Sequence, residues 1–207
     1  MATVIKKGTL QKNVFEGISA VFAVKDGFTF TDGATANDPK TLSLTGNSTL
    51  LEFPCSEDSG FSFDTGAPSI EHFKVHGLNA DWVSTFTPGD TELNIEIPCH
   101  DTQIMELCFG ATGEDITISL PAGANGALKD ENANGVFSGT AFGPSQKSVE
   151  LGLLILDDTE KRLFFIKKAK LTAQVTFDGS NKPLCVVLSG SLSETGGDSF
   201  GILDLGE

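Results

Sequence analysis

The sequence predicts a mainly β protein: an antiparallel β-sandwich or barrel with one short α-helix at about 101–109 and long loops. Three observations carry this reading. Apolar and polar residues alternate with a period of two through most of the chain, the pattern of strands with one face buried. Turn signals punctuate these runs, at Asp26-Gly27, Asp32-Gly33, Asp178-Gly179 and Gly196-Gly197-Asp198. The chain has 207 residues, 23 of them glycine, which suits a single β domain over 1–207.

The elements follow in chain order. "EGISAVFAV" and "TLLEF" read as the first strands, separated by the polar stretch 31–48, which is expected to be a long loop. In "HFKVH", Phe73 and Val75 face one way and His72, Lys74 and His76 the other, as in a half-buried strand. "ELNIEI" is the clearest case: Leu93, Ile95 and Ile97 form a dry face, and Glu92, Asn94 and Glu96 a wet one. After "EIPCH", Asp101 is placed to cap a helix, because its carboxylate can accept otherwise orphaned backbone N–H groups and complements the helix dipole. Ile104, Leu107 and Cys108 make one apolar helical face, and Gly110 supplies the left-handed residue that ends it. "DITISL" is a further strand. Residues 121–148, rich in Gly, Ala, Asn and Ser, are expected to be a second long loop. "VELGLLIL" then turns back at Asp157–Lys161 into "RLFFI" and "LTAQVTF", and "LCVVLSGSL" follows as a strand.

Charge narrows the possible functions. The net charge is −14, and residues 41–128 hold 13 acidic groups against one basic group, Lys74. Five of the 14 basic residues fall in 161–170: Lys161, Arg162, Lys167, Lys168 and Lys170. An acidic surface repels phosphate, which argues against adhesive nucleic-acid binding. No apolar run reaches the length of a membrane span, and the start shows no apolar leader core, so folding in a cytoplasm without a membrane is expected. The four cysteines, each beside apolar neighbours, are expected to be buried free thiols.

Chemistry-bearing motifs are weak. Cys99, His100 and Asp101 are consecutive, so in an extended segment they point to alternating sides and cannot converge on one atom. His72 and His76 are i, i+4 on a strand, roughly 13 Å apart by strand rise, too far to share a metal. No cysteine pair has zinc-knuckle spacing, and the glycine-rich "GATGED" lacks a phosphate-loop lysine. These residues point to a non-catalytic protein without cofactor or metal.

The order of features is informative where single motifs are not. In "TPGDTELNIEIPCHDTQIMELCFG" an acidic strand ending in proline leads into a short helix closed by Phe-Gly. A long polar loop and a β-meander follow, then the last strand and tail in "LSGSLSETGGDSFGILDLG". This layout resembles the major tail tube proteins of long-tailed bacteriophages, a fold shared with type VI secretion and contractile bacteriocin tubes. The resemblance implies a structural virion protein, made in the bacterial host cytoplasm, that forms stacked and usually hexameric rings. It further implies head-to-tail self-association, with tape measure, terminator, baseplate or sheath proteins as further partners. DNA would be a non-adhering cargo in a negative lumen. On that reading Glu71, Glu92 and Glu96 are expected on the lumen wall, and the five basic residues at 161–170 against the acidic face of an adjacent subunit. Residues 31–48 and 121–148 would bridge subunits. A competing reading is a non-catalytic β-sandwich that binds carbohydrate or protein on a virion or cell surface. With Trp82 alone and no tyrosine, it has few aromatic platforms for stacking on sugars.

Overall fold

A computed structural model describes residues 14–33, 40–44, 49–55, 60–74, 76, 83–99, 101–119, 136–143, 147–177, 179, 183–193 and 198–204. They form fourteen strands and one helix. The main sheet contains β1 (Ala20–Lys25), β4 (Leu51–Phe53), β5 (Phe61–Asp64), β8 (Glu92–Ile97), β11 (Ser148–Leu156), β12 (Arg162–Thr176), β13 (Cys185–Leu192) and β14 (Phe200–Asp204). Its order is β4-β1-β11-β12-β13-β8-β5, with every pairing antiparallel. The fifteen-residue β12 organises it: β11 runs along one edge, and β14 and β13 share the other, at Arg162–Ile166 and Ala169–Thr176. Three hairpins complete the set: β2 (Phe28–Thr31) with β3 (Thr41–Leu44), β6 (Ser69–Phe73) with β7 (Val83–Thr87), and β9 (Glu114–Ser119) with β10 (Val136–Ala141).

Alternation places the core on one face of this sheet. Val149, Leu151, Leu153 and Ile155 of β11 point inward beside Val21 and Ala23 of β1. Leu171 and Ala173 of β12, Leu188 of β13, and Leu93, Ile95 and Ile97 of β8 continue the same layer. Each fully buried aliphatic side chain contributes roughly 1.5–3 kcal/mol relative to exposure. Helix α1 (Thr102–Phe109) covers part of this face with Ile104 and Cys108. Its boundaries are those expected: Asp101 accepts from the N–H groups of Gln103 (2.9 Å) and Ile104 (3.4 Å), and Gly110 takes a left-handed φ of 62°. The sheet also curls. Phe63 of edge strand β5 lies three strands from β12, about 14 Å on a flat sheet, yet its ring is 5.5 Å from that of Phe164.

One irregularity sets the faces of β12. The pairing Leu151↔Ala169 becomes Leu153↔Ile166, so Lys167 and Lys168 together oppose Gly152 in a β-bulge. "RLFFI" and "LTAQVTF" are therefore one strand, with the lysines at its kink. Beyond the bulge the inward set changes parity. Ile166 and Phe164 face the core, and Phe165 faces the opposite side, where Phe30 of β2 meets it at 5.3 Å. Asp26 and Gly27, with φ of 63° and 82°, turn the chain from β1 into β2 and lay β2 over this spot. A Cβ on Gly152 would sit 2.6 Å from the Phe28 ring, so only glycine lets that ring seat here.

Two expectations need correction. Residues 31–48 and 121–148 are not loops throughout: β3 lies in the first and β10 in the second, while the rest of both stretches, apart from the ends of the ranges, lies largely outside the described residues. "TLSL" alternates over four residues only, "VFSGTA" does not alternate throughout, and their partner strands define them. "HFKVH" is a strand only to Phe73, and Phe73 is 66 % exposed instead of buried.

Replacing Gly152 with Val is expected to displace Phe28 and cost roughly 1–3 kcal/mol, the usual penalty of overpacking. A urea unfolding series should show this as a lower midpoint with an unchanged slope.

Candidate functional site: a wet sheet face and two apolar arms

The face of the main sheet opposite the core is polar over five strands. Ser62, Asn94, Ser189, Thr172 and Ser148 stand directly opposite one another on β5, β8, β13, β12 and β11. Asp64 pairs with Glu92 on one flank of that row, and Ser191, Lys170 and Glu150 are successive partners further along. On the other flank Glu96, Val187 and Gln174 are successive partners.

The structure redistributes the charged residues singled out in the sequence. Glu92 and Glu96 share the wet face, as their alternation requires, but Glu71 lies on the separate β6–β7 hairpin. The basic group divides. Lys170 and Lys168 join Glu92 and Glu96 on the wet face, where Lys168 Nζ is 3.1 Å from Glu150 Oε2. Lys167 sits in the bulge, and Lys161 in the β11–β12 turn. Ser193 donates to Glu150 Oε1 at 3.1 Å. The Lys168 contact first, and the Ser193 hydroxyl second, hold the Glu150 carboxyl below its ordinary range.

Arg162 serves the chain's own fold. Its Nε donates to Asp204 of β14 at 3.1 Å, and Nη1 donates to the Val14 carbonyl at 2.6 Å. Nη1 also lies 3.8 Å from Asp157, whose side chain is fully buried. Asp157 Oδ1 accepts the N–H groups of Lys161 and Arg162 at 3.0 Å each, and Oδ2 accepts from the Thr159 hydroxyl at 2.7 Å. Burial alone would push this carboxyl up. The Thr159 bond, the two N–H groups and the Arg162 charge outweigh it and hold the acid below its usual range.

The cysteine corner has a structural occupation. His100 lies outside the described residues. Asp101 caps α1, and Cys99 Sγ accepts the Asp101 N–H at 3.4 Å. All four cysteines are free; Cys108 and Cys185 are buried, Cys55 and Cys99 partly so. Burial, and secondarily Cys99, raises the Cys108 thiol to about 12, and burial raises Cys55 to about 11. Both thiols are protonated at neutral pH, the opposite of an activated nucleophile. Among the described residues no three His, Cys, Asp or Glu side chains are grouped to hold a metal, and no helix is long and apolar enough to cross a membrane. Two open grooves, of about 370 and 390 Å³, flank the body. The first runs between α1 and β4, and the second beside Thr176, Phe177 and Pro183.

The feature missed in the sequence is a pair of arms. β6 and β7 keep the register of β5 and β8, since Phe61↔Ile95 and Ser69↔Thr87 have the same residue-number sum. They prolong that ladder beyond the body as an exposed ribbon, narrowed where Gly66 and Gly89 back onto each other. A Cβ on Gly89 would lie 2.5 Å from the Gly66 backbone. Ile70, Phe73, Val83 and Phe86 are all more than half exposed on this arm. The second arm, β9–β10, is rooted on the helix by stacking of Phe109 on Phe142, at 5.7 Å, and by a Thr102–Thr140 hydroxyl contact. Its register puts Ile116, Ile118, Phe137 and Gly139 on one face, and the three large side chains are exposed. Alternation announces an apolar face. It does not say whether the covering layer belongs to the same chain.

Among known proteins, no family model matches the chain, and no curated protein matches it significantly.

Asp157 and Glu150 are both held below their unfolded values. Their stabilisation is therefore complete above the ordinary carboxylate range and lost as pH falls through the folded values. The thermal midpoint is expected to drop on acidification from about pH 5 downwards. Asp157→Asn should lower the midpoint at neutral pH and flatten that acid limb, as scanning calorimetry across pH would show.

Proposed function

We propose that the protein is a structural, non-catalytic subunit of the tail tube class, which assembles into stacked rings around a conduit for DNA. The observation that carries this reading is the pair of arms. Both present large apolar side chains to solvent with no covering layer among the described residues. A lone two-stranded hairpin is marginal in water, and exposed apolar surface of this kind marks a protein–protein contact. The edges of β4 and β5 are also unpaired among the described residues, and unprotected edges invite pairing between chains. Ring closure would remove both liabilities.

The wet face suits a conduit wall. A row of hydroxyl and amide groups offers hydration without adhesion. The flanking charges number four carboxylates (Asp64, Glu92, Glu96 and Glu150) against the ammonium groups of Lys168 and Lys170. Since Lys168 is already engaged by Glu150, a passing phosphate backbone meets a surface that does not grip it. The partners of this reading are further copies of the chain and other tail proteins, in a virion tail assembled in a bacterial cytoplasm.

Particle mass and negative-stain imaging over a concentration series test the reading. Annular particles or hollow filaments are the expected outcome. A protein that remains monomeric at every concentration, and whose melting shifts with an added glycan or protein ligand, would replace it with a binding module.

A further inference from the structure

We infer that the two arms are each other's partners between copies: β6–β7 of one subunit seats on the apolar face of β9–β10 of the next. The inference deepens the assembly reading and rests on it. The two surfaces differ in kind, so the contact is heterologous and continues from copy to copy.

Shape is the first argument. Gly139 stands opposite Ile116 on the β9–β10 face, and a Cβ built on it meets nothing within 4 Å. The result is a notch between Ile116, Ile118 and Phe137. The β6–β7 arm offers what fills a notch. Phe86, paired with Ile70, protrudes with 62 % of its surface exposed. An aromatic side chain seated in a well-packed pocket is the kind of anchor that carries much of an interface's energy. Neither surface has an internal cover among the described residues.

Charge is the second argument. β9 opens with Glu114 and Asp115, next to the apolar face. The β6–β7 arm carries Lys74, the one basic residue in 41–128, immediately after Phe73. That single positive charge closes β6, whose Ile70–Phe86 pair lies on one side of the ribbon and whose Phe73–Val83 pair lies on the other, so the seating side is that of Ile70 and Phe86. Opposite charges at the rim of an apolar contact select orientation, and two β9–β10 arms, both acidic at that rim, repel each other.

The test uses the full chain with one arm disabled at a time. Phe86→Asp and Ile118→Asp change exposed side chains, and unchanged thermal midpoints would confirm that each variant folds. Each alone is expected to weaken self-association by roughly thirtyfold or more, the weight of one aromatic anchor. Mixed in equal amounts, they should form a 1:1 heterodimer and nothing larger, because one intact surface of each kind remains. That rescue cannot come from a misfolded partner. Measurement is by sedimentation velocity. If both variants assemble as the wild type does, or if the mixture stays monomeric while the wild type assembles, the arm pairing is wrong and the tube reading stands. If the variants complement but the wild type grows only as open chains without hollow rings, the pairing stands and the tube reading falls. A wild type that never associates overturns the pairing.

Discussion

The architecture depends on one extra residue in β12. Side chains alternate strictly along a strand, so a one-residue insertion exchanges the two faces of everything beyond it. With Lys167 and Lys168 opposing Gly152, Ala169 and Leu171 share the core face with Ile166 and Phe164. In an unbroken strand that inward set would be Leu163, Phe165 and Lys167, and an ammonium group would sit in the apolar layer. Phe165 would also be lost as the seat for Phe30. The same bulge brings Lys168 within reach of Glu150 and lets Gly27 lie against the Lys167 carbonyl. Two packing layers and the main ion pair of the wet face thus follow from one irregular pairing.

This explains which parts of the fold were legible in the sequence. The helix was readable because its signals are local: a carboxylate at the cap, an i, i+3, i+4 apolar face, and a glycine at the end. The β11–β12 hairpin was readable because two strong apolar runs flank a polar turn. The bulge was not, because the charged run "KKAK" looks like a break and its compensating glycine lies fifteen residues upstream on another strand. β3 and β10 were hidden for a related reason. β3 alternates over only four residues and β10 not throughout, and pairing with β2 and β9 defines them as strands.

The candidate site was half legible. Glu92 and Glu96 fall together on the wet face, as alternation demands. The basic residues did not stay a group, because a bulge, a turn and a strand distribute them among different surroundings. Arg162 looked like surface charge, yet it joins Val14, Asp157 and Asp204, and so ties the segment leading into β1 to the last strand. Side-chain charge alone does not distinguish an interface residue from an internal brace. The distinction lies in which carboxylates the fold delivers to it.

The apolar arms pose the reverse problem. Phe73 and Phe86 are large apolar strand residues, yet both stand exposed among the described residues. A monomeric protein with such surfaces would aggregate without order, and natural sequences counter this with charge at the edges. Here Glu71 and Lys74 flank Phe73, and Glu114 and Asp115 lead into Ile116. Those charges do not cover the apolar groups; on the proposed pairing they restrict the ways in which two arms could meet. Apolar surface favours association, the acidic entry to β9 disfavours contact between two β9–β10 arms, and Lys74 gives the β6–β7 arm a charge of the opposite sign. On the proposed pairing, growth proceeds by unlike arms, the geometry a repeating assembly needs.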